Sequence, residues 1–262
     1  MVILYVLLAL VLLLFYLIAP TFRRHKDRAL LKGKMIAHRG LHGGNIPENS
    51  LAAFRAAIAK GYAIENDIHL TADGELVVFH DDTLRRMCGV DAKVESMTLA
   101  ELKALCLGDT EETVPTLREC LALVDGKVPL LIEFKVVDGN TKALCEAAAK
   151  LLYHYDGAYC IQSFYPQVLL WYRRHRKCVC RGQLAEPFRG EAIHRHMLGM
   201  MLFNFLSRPD FVSYEHSAAR HPMRRTVTAL GALPLAWTIR SKEELDKAKK
   251  EFDGYIFEGF EP

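Results

Sequence analysis

MIAHRGLHGGNIPENSLAAFRAAIAKGYAIEND, residues 35–67, holds a complete strand–helix–strand unit. A short apolar run ends in the polar group His38-Arg39-Gly40. Ser50 then offers an N-cap, the residues after it space their apolar side chains on a helical period, and Gly61 supplies a stop. A second apolar run follows at 63–67. Two strands joined by a helix form the repeating unit of α/β folds.

The alternation continues downstream. Strands are expected at 35–38, 63–67, 130–134, 159–163, 178–183, 211–214, 233–239 and 254–258, with helices at 50–60, 141–155, 167–176 and 241–252. Eight strands alternating with helices predict an α/β fold of the TIM (β/α)8 barrel type over residues 35–262. One segment breaks the pattern. HLTADGELVVF, residues 69–79, carries the hairpin signal Asp73-Gly74 and is too short for a parallel crossover. The second strand is expected to turn there and return antiparallel, with residue 67 opposite residue 80. Residues 68–128 then make up a hairpin and insertion, with helices at 98–106 and near 116–124.

The first 20 residues carry no charge, and residues 2–19 are apolar or aromatic throughout. Eighteen such residues can just span a bilayer core of about 30 Å at about 1.5 Å per residue. A cleaved signal peptide wants a basic residue ahead of the apolar run, and there is none. Residues 1–20 are therefore expected to be a transmembrane anchor. Arg23, Arg24, Lys26, Arg28, Lys32 and Lys34 make 21–34 a basic segment suited to anionic lipid headgroups. The positive-inside rule then gives a single-pass protein of the cell membrane with its catalytic domain on the cytoplasmic side.

Seven cysteines without a CxxC pair read as reduced thiols rather than a disulfide framework or zinc site. A net charge of +3 gives no case for nucleic acid as a partner.

Polar residues recur where apolar runs end. They are His38-Arg39, Glu65-x-Asp67, His80-Asp81 and Glu133-x-Lys135. Side chains two apart on a strand share a face, so Glu65 and Asp67 point together, as do Glu133 and Lys135. Two histidines, three carboxylates and two cations are costly to bury unless they meet in one site. The C-terminal mouth of a barrel is where such enzymes keep their chemistry. The set suits metal-assisted attack on a phosphate ester.

In order, the motifs are His38-Arg39-Gly40, Pro47-Glu48-Asn49-Ser50, Glu65-x-Asp67, Asp73-Gly74, His80-Asp81 and Glu133-x-Lys135. This series resembles the glycerophosphodiester phosphodiesterase family. The resemblance is dense to about residue 135 and thins to Ser163-Phe164 and Trp237-Thr238. It implies a TIM barrel and hydrolysis of glycerophosphodiesters to glycerol 3-phosphate and an alcohol, or lysophospholipase D-type cleavage of a lysophospholipid. It implies that Glu65, Asp67 and Glu133 hold one divalent cation, calcium or magnesium, that His38 and His80 are the acid–base pair, and that Arg39 and Lys135 bind phosphate.

Other readings stay open at several positions. Glu48 and Asn49 could cap the helix at Ser50, and Lys135 could be a structural ion pair. Trp237 is a substrate wall or barrel core. The apolar stretch 197–206, within the unassigned segment 185–207, touches lipid or packs on the barrel wall. Two departures stand out. Asn66 replaces an apolar residue on the outer face, and the last strand ends in Glu258-Gly259 where the family pattern has Thr-Asp.

Overall fold

The computed structural model describes residues 1–23, 25–187 and 192–262. Nine strands form one sheet: β1 (Met35–Ala37), β2 (Ala63–Leu70), β3 (Leu76–Val78), β4 (Leu130–Phe134), β5 (Tyr159–Ser163), β6 (Arg181–Ala185), β7 (Phe211–Glu215), β8 (Leu233–Ile239) and β9 (Gly254–Phe257). β1 pairs in parallel with both β2 and β9, which closes eight parallel strands into a barrel. The ninth, β3, is antiparallel on β2 and stands outside that ring.

The α-helices are α1 (Val2–Ile18), α2 (Leu51–Lys60), α3 (Arg85–Cys88), α4 (Leu99–Lys103), α5 (Leu117–Val124), α6 (Thr141–Leu152), α7 (Pro166–His175), α8 (Ile193–Gly199), α9 (Asn204–Ser207), α10 (Pro222–Ala229) and α11 (Lys242–Ala248). α2 forms as its sequence dictates: Ser50 Oγ accepts from the Ala53 N–H, and Gly61 closes the helix in the left-handed conformation. α4 and α5, in the insertion, each begin with a reciprocal Thr–Glu capping box.

Apolar burial falls into three zones. Leu31, Ile36, Leu131, Phe211, Leu235 and Ile256 pack inside the barrel. A larger layer, including Ile64, Ile68, Ile132 and Phe134, lies between the strands and the helices. Val77, Phe79, Leu84, Val94, Leu102 and Val114 give the insertion its own small core. The interior apolar plug leaves the polar strand residues to collect on its other side, at the strand C-termini.

The hairpin differs by one register step from the expectation. Ile68 pairs with Val78 and Leu70 with Leu76, so the Phe79 N–H donates to the carbonyl of Asp67. The loop is three residues, Ala72-Asp73-Gly74, closed by the Thr71 N–H to the Glu75 carbonyl. Gly74 takes the left-handed conformation (φ +82°) such a loop needs. His80 therefore sits one residue beyond the position opposite Asp67. β6 starts at Arg181 rather than 178, because a turn between the Val179 N–H and the Arg176 carbonyl delays the pairing with β5.

The expectation of a membrane anchor is overturned. α1 has 17 residues, about 25 Å at about 1.5 Å each, against a bilayer core of about 30 Å. Among the described residues no helix is long and apolar enough to cross a membrane. The last residues of the run are committed to the protein. Ile18 and Ala19 are buried, the Ile18 carbonyl accepts from Asn204 Nδ2 (2.9 Å), and Arg208 Nη1 donates to the carbonyls of Tyr16 and Ala19. Single-pass placement in the cell membrane, its cytoplasmic orientation and a lipid partner through that anchor fall with it.

The basic segment has a different place as well. Leu31 enters the barrel interior, His25 Nε2 lies 3.0 Å from the Cys178 carbonyl, and Cys160 Sγ donates to the carbonyl of Asp27. Residues 25–31 thus pack at the N-terminal end of the barrel. Arg24 lies outside the described residues, as do 188–191 of the 185–207 segment, Arg189 among them. Residues 192–196 of that segment are exposed, whereas its later part packs on the wall: Met201 and Asn204 are buried, and Arg173 Nη1 donates to the carbonyls of Phe205 and Leu206.

Asn66 is fully buried between Glu65 and Asp67 on the outer face of β2, and neither amide atom has a hydrogen-bond partner. An unsatisfied buried polar group costs about 1–3 kcal/mol. Asn66→Leu, close in shape, is expected to raise the melting temperature by several degrees, on the order of 2–4 °C per kcal/mol at this size. A lowered melting temperature would show that the amide is partnered in solution.

Candidate active site

The end of β1 turns sharply, and the turn builds one side of the site. Arg39 (φ +54°) and Gly40 (φ +79°) are both left-handed. A Cβ on Gly40 would lie 2.8 Å from Ala53 Cβ of α2, so glycine is needed there for conformation and space. The turn aims the Arg39 N–H at Glu65 Oε2 (3.1 Å). Asn49 binds back to it through its N–H to the Arg39 carbonyl, and Asn49 Nδ2 donates to Asp67 Oδ2 (2.9 Å).

Glu65, Asp67 and Glu133 face one another because β2 and β4 are in register with Asp67 beside Glu133. One carboxylate oxygen from each lies within 4.8 Å of the others, and all three side chains are buried. Lys135 Nζ reaches Glu133 Oε1 (2.6 Å) and Asp67 Oδ1 (3.0 Å). Arg39 Nη1 is held by Glu48 Oε1 (2.7 Å), while Arg39 Nε is buried without a hydrogen-bond partner, 3.7 Å from Asp67 Oδ2.

Negative charge is in excess here, and the acid strengths record it. Burial, together with Asp67 and Glu133, pushes the Glu65 carboxyl well above its ordinary range. Burial also raises Glu133. Burial alone would raise Asp67 too, but Lys135, His80 and Arg39 hold it far below the usual carboxylate range. Three converging hard oxygen donors short of positive charge fit a metal ion, so these residues could hold one.

Each histidine is backed by a carboxylate. His38 Nδ1 lies 2.5 Å from Glu258 Oε2, which leaves Nε2 turned toward Glu65 Oε2 at 4.0 Å. Arg240 Nη2 holds the other Glu258 oxygen (2.7 Å), and His42 Nε2 is 3.8 Å from Oε2. His80 Nδ1 lies 2.7 Å from Asp81 Oδ1. His69, which is buried, holds Glu95 through Nδ1 (2.6 Å) and points Nε2 at the His80 carbonyl (3.4 Å). Burial lowers His38. Burial, with Lys135 and Arg39 adding to it against Asp67, lowers His80 to about 4. Both rings are thus neutral near pH 7, with Nδ1 the protonated nitrogen that faces its carboxylate.

Below this layer Gln162 Nε2 donates to Glu65 Oε1 (3.4 Å), and Ser213 Oγ donates to Gln162 Oε1 (2.7 Å). Trp237, on β8, is half-buried. It meets the Phe164 ring edge-on at 5.7 Å, and its Nε1 has no hydrogen-bond partner.

The residues expected from sequence at strand ends therefore converge, and His194 and His196 are exposed on α8, apart from them. Glu48 and Asn49 join the network while Ser50 alone caps α2. Sequence reasoning missed Glu258, which it took as a departure from the family pattern, and Arg86. Arg86 reaches Asp81 through Nε (2.6 Å) and Glu48 through Nη2 (2.6 Å).

The family profile of the glycerophosphoryl diester phosphodiesterases matches residues 38–255. The chain belongs to this family. A glycerophosphodiester phosphodiesterase from Caldanaerobacter subterraneus is 39% identical over 116 residues, 42% of this chain and 47% of that one. A human lysophospholipase D is 34% identical over 123 residues, 47% of this chain and 38% of that one. The chain thus spans half or less of the length of these two curated relatives. A phosphodiesterase from Oleispira antarctica, solved with its product sn-glycerol-3-phosphate, superposes with a TM-score of 0.74 at 26% identity, over 88% of this chain and 94% of that one.

Proposed function

We propose that the chain hydrolyses glycerophosphodiesters to glycerol 3-phosphate and an alcohol. The observation that carries this reading is the meeting of two carboxylate-backed histidines with the acidic trio, Arg39 and Lys135 at one barrel mouth. Membership of the family and the product-bound structural relative support it.

His38 Nε2, its Nδ1–H held by Glu258, takes a proton from the glycerol hydroxyl next to the phosphate ester. That oxygen attacks phosphorus, and His80 protonates the departing alcohol. Water then opens the cyclic phosphate with the two roles reversed. The incoming phosphodiester is an anion, and its charge favours the protonated form of His80 that the departure step needs. Arg39 Nε, buried and without a hydrogen-bond partner, and Lys135 Nζ face the non-bridging oxygens. Glu65, Asp67 and Glu133 would hold calcium or magnesium, which when bound supplies positive charge for the phosphoryl oxygens. Trp237 and Phe164 form a wall for the organic end of the substrate.

Lysophospholipase D-type cleavage at the same site is the second reading, favoured by the human relative. One assay separates the two. Metal-supplied protein is given glycerophosphocholine, glycerophosphoethanolamine, glycerophosphoglycerol and lysophosphatidylcholine. Release of glycerol 3-phosphate from the first three supports the main reading, and release of lysophosphatidic acid alone supports the second. Activity on none of the four would reject both.

A further inference from the structure

Arg86 stands on α3, in the insertion outside the barrel ring, and none of the groups given a chemical role above is on that helix. Its guanidinium nevertheless touches two of their partners. Nε and Nη2 lie 2.6 and 3.0 Å from the two oxygens of Asp81, and Nη1 and Nη2 lie 2.9 and 2.6 Å from the two oxygens of Glu48. Asp81 in turn holds His80 Nδ1, and Glu48 holds Arg39 Nη1. We propose that Arg86 is a positioning residue for the phosphodiesterase reaction, one guanidinium that fixes both the His80 ring and the Arg39 fork. The proposal rests on the functional reading given above.

Asp81 has its charge divided between His80 and Arg86. Without Arg86 it is left with the imidazole and solvent, free to swing with the loop that follows β3. Glu48 is likewise shared by Arg39 and Arg86. Without Arg86 it follows Arg39 alone, and the loop at 47–50 loses its tie to the insertion. A guanidinium suits the task because its planar fork can meet two carboxylates at once, which an ammonium cannot do with the same geometry. Arg86 is itself about half exposed, at 48%. Ion pairs open to that much solvent add little to stability. Its main effect is therefore on alignment, where a displacement of about 1 Å can lower a rate by about 10².

The test uses the full chain with calcium or magnesium and glycerophosphocholine. Arg86→Ala is expected to lower kcat by a factor on the order of 10 to 10² with KM little changed. Its melting temperature should stay within about 2 °C of the parent. Guanidinium ion at tens of millimolar should return several-fold activity to Arg86→Ala and none to the parent, because the cavity at the half-exposed site is open to it. Arg86→Lys should recover part of the rate. Adding Asp81→Asn to Arg86→Ala should cost much less than Asp81→Asn costs alone, since both act through His80. A kcat for Arg86→Ala within twofold of the parent overturns the proposal. So does a loss that guanidinium cannot relieve and that tracks a lowered melting temperature. If the parent is inert on every diester, the functional reading fails separately. The placement of His80 is then read from ¹⁵N resonances of its ring, and an unchanged His80 signal in Arg86→Ala rejects the clamp.

Discussion

His38→Ala and His80→Ala are each expected to reduce turnover by a factor on the order of 10² or more, the usual consequence of losing a positioned acid or base. The geometry makes this effect among the largest for the chain. Each ring is pinned at Nδ1 by its own carboxylate, so Nε2 is left as the free nitrogen on both. Each carboxylate is pinned by its own arginine, Arg240 behind Glu258 and Arg86 behind Asp81. Among the described residues no other imidazole stands ready to replace either one. His42 lies 3.8 Å from Glu258, and His69 is taken up by Glu95 and the His80 carbonyl.

The two variants should also differ from each other. A substrate whose alcohol leaves readily, such as a nitrophenyl ester, needs little protonation of the departing oxygen. His80→Ala should regain much of its rate on that substrate, and His38→Ala should not. Retention of more than about a tenth of the parent rate by either variant, with unchanged folding, removes that histidine from the mechanism.

The barrel was legible because its units are local. A Ser cap, a helical apolar period and a Gly stop lie within a dozen residues of one another around α2, and strand parity alone places Glu65 with Asp67. The resemblance to a family supplied the roles. What sequence could not reach are features set by chain segments far apart. Glu258 meets His38 across 220 positions. Its Glu-Gly ending read as a departure, yet the Glu258 carboxylate meets Nδ1 of His38. Arg86 lies 38 positions from Glu48 and belongs to none of the motifs read from the sequence. The hairpin register slipped by one because Asp-Gly can close a two- or a three-residue loop, and the choice is made by the Thr71–Glu75 hydrogen bond. The N-terminal run misled for a related reason. Hydropathy counts residues and cannot see Asn204 and Arg208 engaging the carbonyls at its end.

Chelation is expected to abolish activity and added calcium or magnesium to restore it, and Glu65→Gln should lose activity under all conditions. Among the described residues Glu65 has no cationic side chain in contact apart from the His38 ring at 4.0 Å, and that ring is neutral near pH 7. Its other partners are the Arg39 N–H and Gln162. It is buried beside Asp67 and Glu133, which raises its pKa well above the ordinary carboxylate range and makes its ionised form a burden on the metal-free fold. A bound divalent ion reverses that burden. Metal at about 100 times its Kd should add about 2.7 kcal/mol to the stability of the parent, read as a rise in melting temperature. Glu65→Gln should shift both quantities in opposite directions. Without metal it should melt several degrees above the parent, since a neutral amide no longer repels Asp67 and Glu133. With metal it should show little further rise. This crossing pattern is what a carboxylate kept for a ligand predicts, and one kept for folding does not. A lower melting temperature for metal-free Glu65→Gln, together with a full metal-induced rise, would sink the assignment of Glu65 to the ion.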